Sequence, residues 1–205
     1  MSAIGNSNLK NIIEISDRNI KKAYQIIDEL QIEKIWKNHS GKANLIGSVK
    51  TNLLMDHLDI DFHVYTKEFS IKDSFDAIGE ISQSTKIKKV NYINMTDSDD
   101  QCIEWHLEYL DDENNIWQID IIHIMNNSKY AGKFERVADK IFKKLTDEKR
   151  ENILKIKYEA SMRKEKIIGI KVYRAVIDDN IDNYEDFLLW EKESQSSIID
   201  EWEPE

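Results

Sequence analysis

Between Leu58 and Thr66 the chain reads LDIDFHVYT, an alternation that puts Ile60, Phe62 and Val64 on one side of an extended segment and Asp59, Asp61, His63 and Tyr65 on the other. A period of two over this length predicts a strand with one buried and one wet face. It also fixes two carboxylates on the same side, roughly 7 Å apart at their alpha carbons by strand geometry. Further on, CIEWHLEYL and IWQIDIIHI flank the polar turn DDENN and predict an antiparallel hairpin. A symmetric turn sets His106 across from Asp120 and keeps Trp105 and Ile121 on the buried side. Glu104 and Glu108 are the neighbouring polar positions, and either takes the place opposite Asp120 if the register slips by two.

Only six Gly and one Pro punctuate the 205 residues, so element boundaries come from changes of hydrophobic period. Ser16 reads as the N-cap of a helix carrying Ile20, Ala23, Ile26, Ile27 and Leu30, and a short helix through Trp36 follows. HSGK is a turn and ANLIG a short buried strand. SVKTNLLMDH reads as a brief helix, because Val49, Leu53 and Leu54 recur at helical spacing. Ser70 opens a helix in an S-x-x-D capping arrangement, and KIKKVNYINM is the next strand. Beyond about Asn127 the period becomes 3.6, with IIGIKVYRAVI a strand or a helix and NYEDFLLWEKE a closing helix. The last residues of IIDEWEPE are expected to fray. This organisation divides at 127/128, with an α/β (α+β) segment, a mixed sheet flanked by helices, followed by a helical lobe over 128–205.

Bulk properties remove several classes. No apolar run approaches the roughly 20 residues that span a bilayer, so no membrane partner is expected. The opening MSAIGNSNLKNIIEIS lacks the basic start and unbroken apolar stretch of a secretory signal. Cys102 is the sole cysteine, which favours a reducing, cytoplasmic location. The formal net charge of −10 makes nucleic acid the less expected partner, since such binding rests on neutralising phosphates with Lys and Arg. The basic stretch from Lys133 has helical period and reads as a solvated helix face. One cysteine and scattered histidines give no zinc-ligand spacing. GKANLIGSVKT departs from the phosphate-binding loop, in which Gly-Lys-Ser/Thr is contiguous.

The acids carry the chemistry. Two carboxylates on one strand face suit a divalent cation whose remaining positions are filled by substrate phosphates and water. Asp120 interrupts an otherwise apolar strand and supplies a third acid. Gly47-Ser48, where a strand passes into a helix, presents backbone N–H groups and a hydroxyl suited to a phosphate.

The pattern IGSVKTNLLMDHLDIDFHVY followed by IDI resembles the nucleotidyltransferase superfamily of the DNA polymerase beta type, over residues 43 to 124. The resemblance implies a nucleotidyltransferase fold and transfer of a nucleoside monophosphate, with AMP one candidate, from a nucleoside triphosphate to a small-molecule or protein acceptor. It implies that Gly47, Ser48 and Lys50 hold the triphosphate, and that Asp59, Asp61 and Asp120 bind Mg2+ or Mn2+ and carry catalysis. His63 and His106 are candidates for the acceptor side. Val49-Lys50-Thr51 departs from the basic step many small members carry after Gly-Ser. Two rivals are a non-catalytic nucleotide-binding regulatory module and a hydrolase using the same metals.

Overall fold

The alternating segments form strands and the 3.6-period segments form helices. The structure is a computed structural model describing residues 6–194 and 202–205. Its elements run α1 (Asn6–Glu29), α2 (Ile32–Asn38), β1 (Gly41–Ile46), α3 (Gly47–Lys50), β2 (Asp59–Thr66), α4 (Ile71–Ile81), β3 (Ile87–Met95), β4 (Cys102–Leu110), β5 (Ile116–Ile124), α5 (Lys133–Lys144), α6 (Asp147–Met162), α7 (Gly169–Ile177) and α8 (Tyr184–Glu193). The described residues fall into two compact units. One is built from Lys21–Lys50 and Leu58–Arg136, the other from the described parts of Met1–Ile20, Thr51–His57 and Val137–Glu205.

The first unit holds a five-stranded mixed sheet of order β1-β2-β5-β4-β3. β2 and β5 are parallel, and the remaining neighbours are antiparallel. Parallel strands need a long crossover, which here consists of α4 and the β3–β4 pair. The β4–β5 ladder has the register that a symmetric turn requires, with Trp105 opposite Ile121 and His106 opposite Asp120. The turn is fixed by Asp111, whose carboxylate accepts from the backbone N–H of Glu113 at 2.9 Å and of Asn115 at 2.8 Å, and from the Trp117 indole at 3.0 Å. Trp105 donates its indole N–H to Ser74 on α4, so α4 lies over the apolar face and leaves the acids on the other. Ser70 caps α4 by accepting from the Asp73 N–H at 3.1 Å, as its spacing predicts.

The second unit has a core that includes Leu53, Ile141, Ile153, Ile156, Val172, Tyr173, Val176, Tyr184 and Phe187. Two expectations are corrected and one open alternative is decided. The helix expected over residues 48–57 stops at Lys50. Asn52 turns left-handed at φ 63°, and the following carbonyls take tertiary donors in place of helical ones. Leu53 accepts from Lys157 at 2.6 Å, Leu54 from Ser16 at 2.6 Å and Met55 from Asn19 at 2.6 Å. Ser16 is consequently not an N-cap: α1 starts ten residues earlier, at Asn6, and Ser16 is buried at mid-helix. The ambiguous IIGIKVYRAVI is helical, forming α7.

The end of the chain is also packed where it is described. Trp202 is buried and donates its indole N–H to Asp178 at 2.7 Å, which an apolar ring with one polar edge favours over fraying. Residues 198–201 of the acidic tail, and the first five residues of the segment read for a secretory signal, lie outside the described residues. No helix among the described residues is long and apolar enough to cross a membrane. Cys102 is buried, and burial pushes its thiol up to about 11.

Candidate active site

The parallel β2–β5 ladder brings the acids together. Asp61 and Asp120 occupy one rung and Asp59 faces Gln118 on the next. Rung partners share a face and neighbouring strands lie about 4.8 Å apart, so the three carboxylates project from one patch of sheet, each partly buried. Sequence alone places Asp59 and Asp61 together and Asp120 against His106. The parallel pairing, which joins the two halves, has no local signature because some fifty residues separate its strands.

Gly47 closes the patch from the other side. β1 delivers Ile46 opposite Asp61, and the chain then turns at Gly47 with φ 67°. A Cβ at this position would lie 2.8 Å from the Asp61 Cγ and 3.1 Å from its Cβ. Only glycine combines that backbone angle with that approach. Ser48 is buried behind the turn and Lys50 is exposed at its end. α3 is a single turn of four residues. A helix this short has little macrodipole, so any affinity for phosphate at the Gly47-Ser48 step comes from its N–H groups and the hydroxyl.

The two histidines on the acid face differ. His106 bridges two carboxylates, with Nδ1 donating to Asp120 Oδ1 at 2.7 Å and Nε2 lying 3.2 Å from Glu104 Oε2. Burial pulls its pKa down, but Asp120 and then Glu104 more than offset this, and it ends above the ordinary imidazole value. Gln118 also donates to Asp120, at 3.0 Å to Oδ1 and 3.1 Å to Oδ2. Glu104 is thus a partner of His106 and does not stand opposite Asp120, because the register does not slip. His63 is buried, whereas a strand histidine on a wet face is expected to be solvated. It packs edge-on to Phe134, with ring centroids 5.2 Å apart, and its Nδ1 lies 3.7 Å from Glu135 Oε1. Burial raises the Glu135 pKa, but His63, the backbone and Tyr65 bring it below the usual carboxylate value. Glu135 is the site neighbour that the sequence does not reveal. It reads as one charge on an amphipathic helix until α5 is seen to start against β2.

The donors fit a hard divalent cation, since all three are carboxylates, on one face, beside a phosphate-sized turn. Among the described residues, no three His, Cys, Asp or Glu side chains are already drawn to metal-binding distance. Asp120 is turned toward His106 and Gln118.

No family model matches this chain, and no curated protein matches it in sequence. Solved structures match it in fold. It is similar to a complex of the non-canonical poly(A) polymerase GLD-2 with GLD-3, with a TM-score of 0.60 and 10% identity over 86% of this chain and 58% of that one. A cytoplasmic RNA terminal U-transferase gives a TM-score of 0.55 and 15% identity over 82% of this chain and 50% of that one. The Cid1 poly(U) polymerase with MgATP bound gives 0.55 and 16%, over 78% and 49%. The chain therefore shares the nucleotidyltransferase fold of these neighbours, the fold that the Gly-Ser and Asp-x-Asp pattern leads one to expect. It spans between about half and three-fifths of the length of these neighbours.

Proposed function

We propose that the protein is a metal-dependent nucleotidyltransferase that moves a nucleoside monophosphate from a nucleoside triphosphate to a hydroxyl acceptor. The observation that carries this reading is the shared rung of Asp61 and Asp120, with Asp59 on the same face and Gly47 packed against Asp61. In this reading Gly47, Ser48 and Lys50 bind the triphosphate, and Asp59, Asp61 and Asp120 hold Mg2+ or Mn2+. The bound cations would supply Lewis-acid stabilisation of the entering and leaving oxygens. Asp120 orients the acceptor hydroxyl and draws off its proton. The new bond forms between that oxygen and the alpha phosphorus, and pyrophosphate leaves. His106 and Gln118 both donate to the Asp120 carboxylate, while His63 and Glu135 line the acceptor side.

For the acceptor we favour the 3′ hydroxyl of an RNA over the small molecule or protein side chain that net charge suggests. The fold neighbours are described as RNA-terminal and poly(A) or poly(U) polymerases. A net charge of −10 is an average over the whole chain and does not exclude a local binding surface.

The test is incubation with each labelled triphosphate, Mg2+ or Mn2+, and an RNA oligonucleotide, with pyrophosphate measured in parallel. Extension of the RNA with stoichiometric pyrophosphate, lost in Asp61→Ala and Asp120→Ala proteins that keep their circular dichroism, is the expected outcome. Nucleotide binding without pyrophosphate release in the wild type would instead make the protein a regulatory module. That alternative has one observation in its favour: Asp120 is already satisfied by His106 and Gln118.

A further inference from the structure

The sheet ends on β3, and this edge is unusually apolar. Natural edge strands discourage pairing with other chains by means of charges, prolines, bulges or short length. Here the protection is confined to one end, where Lys88 and Lys89 stand beside a register irregularity between Ile87 and Lys89. The six residues VNYINM, Val90 to Met95, contain no charge and no proline. A segment of this kind left open is an association hazard. Val90 and Tyr92 point to the α4 side and Ile93 to the other. Together with Ile71 and Phe75 of α4 they are between 37% and 47% exposed. Phe75, Tyr92 and Trp105 form an aromatic triad with centroids 4.7 to 4.8 Å apart, its outer edge in solvent. Uncharged strand edge and apolar patch are continuous, which is the signature of a covered surface.

We propose that a second copy of this chain covers it, the two β3 strands pairing antiparallel about a two-fold axis at Asn91. The strand is self-complementary in that register. Val90 faces the partner's Tyr92, and Lys89 faces the partner's Ile93, so no lysine meets a lysine before the irregularity between Ile87 and Lys89 ends the regular ladder. A one-residue shift of the axis would set Val90 against Asn94 and lose the aromatic–aliphatic pairs that stabilise a ladder. Ile71 and Phe75 of each copy lie beside this ladder on the α4 side and extend its apolar contact. The result is one continuous sheet with both acid faces on the same side. The inference is independent of the proposed activity, since none of these residues is assigned to it.

Cross-linking tests the register and sedimentation tests the dimer. Directly opposed antiparallel residues have alpha carbons about 4.5–5.5 Å apart, within disulfide range. Asn91→Cys is therefore expected to give a covalent dimer under mild oxidation, whereas Lys88→Cys and the wild type, with its buried Cys102, do not. Sedimentation equilibrium on the full chain is expected to show twice the 24.2 kDa protomer mass, and a Val90→Lys/Tyr92→Lys variant with native circular dichroism is expected to sediment as a monomer. The proposal is overturned by a wild-type monomer at every concentration, by a dimer that survives the double substitution, or by Asn91→Cys chains that stay unlinked. Protection of β3 only when a different protein is added also overturns it. Should the double variant misfold, the Asn91→Cys result decides.

Discussion

The His106 imidazole and the Asp120 carboxylate meet on one rung of the β4–β5 ladder, 2.7 Å apart, with Gln118 also donating to both Asp120 oxygens. A carboxylate held by two donors has its rotamer fixed before substrate arrives, and partners of this kind typically contribute 10- to 100-fold in affinity or rate. His106→Ala is therefore expected to lower nucleotidyl turnover by roughly 10- to 100-fold while leaving the sheet intact, because Gln118 still donates to Asp120. His106→Asn, which retains a shorter donor, should recover part of the loss. Steady-state assays beside circular dichroism check this, and unchanged turnover in His106→Ala removes the positioning role.

Two glycines separate a constrained position from a free one. At Gly47 a methyl group meets the Asp61 carboxylate and φ is 67°, whereas at Gly79, in α4, nothing lies within 4 Å of an added Cβ. Gly47→Ala is expected to cost about 1–3 kcal/mol, the range for backbone strain at such sites, and to abolish turnover by displacing Asp61. Gly79→Ala should stabilise the fold by roughly 0.5–1 kcal/mol by removing freedom from the unfolded chain. Urea unfolding measures both, and the opposite signs are the test.

Much of this arrangement is legible in the sequence because its determinants are local. The period of two in LDIDFHVYT and in the hairpin strands identified the sheet, and a five-residue turn fixed the pairing of His106 with Asp120. The S-x-x-D signature located the start of α4. The parts that could not be read depend on distant partners. Leu53 and Leu54 have helical spacing, but their carbonyls are taken by Lys157 and Ser16, so tertiary hydrogen bonds replaced helical ones. The same bond places Ser16 inside a helix, against its capping preference. His63 sits on a polar face by period yet is buried, because Phe134 and Glu135, some seventy residues away, cover it. Period describes what a segment exposes to its own neighbours and is blind to what folds back over it.

The hairpin turn depends on one carboxylate. Asp111 is buried and accepts from the Glu113 and Asn115 backbones, the Asn115 side chain at 3.2 Å and the Trp117 indole. Burial pushes its pKa up, but these donors outweigh burial and hold it below the usual value. A depressed carboxylate stabilises the native state above its unfolded pKa near 3.9, and that contribution disappears as pH falls through the lower native value. Asp111→Ala leaves a buried indole N–H unpaired, so a loss of about 1–3 kcal/mol is expected at neutral pH, with the difference from wild type narrowing in strong acid. Asp111→Asn should be intermediate in urea unfolding.

His123 gives a pH response of a different origin. It is fully buried on the apolar side of β5, its Nε2 is 2.9 Å from Thr66 Oγ1, and its ring is enclosed by Trp36 at 5.3 Å and Phe69 at 4.5 Å. Burial pushes its pKa down to about 4, with Asp73 opposing only weakly. The unfolded chain takes up a proton near pH 6.5 that the folded chain refuses until about pH 4. This contribution to stability is whole above pH 6.5 and is lost as pH falls between those two values, by about 1.4 kcal/mol per pH unit. His123→Phe keeps a ring in the space and removes the titration. Its unfolding free energy should therefore fall less steeply between pH 6.5 and 4 than that of the wild type, by close to one proton in the slope. Parallel urea series across that window measure the difference, and identical slopes in the two proteins would place the acid sensitivity on the carboxylates instead.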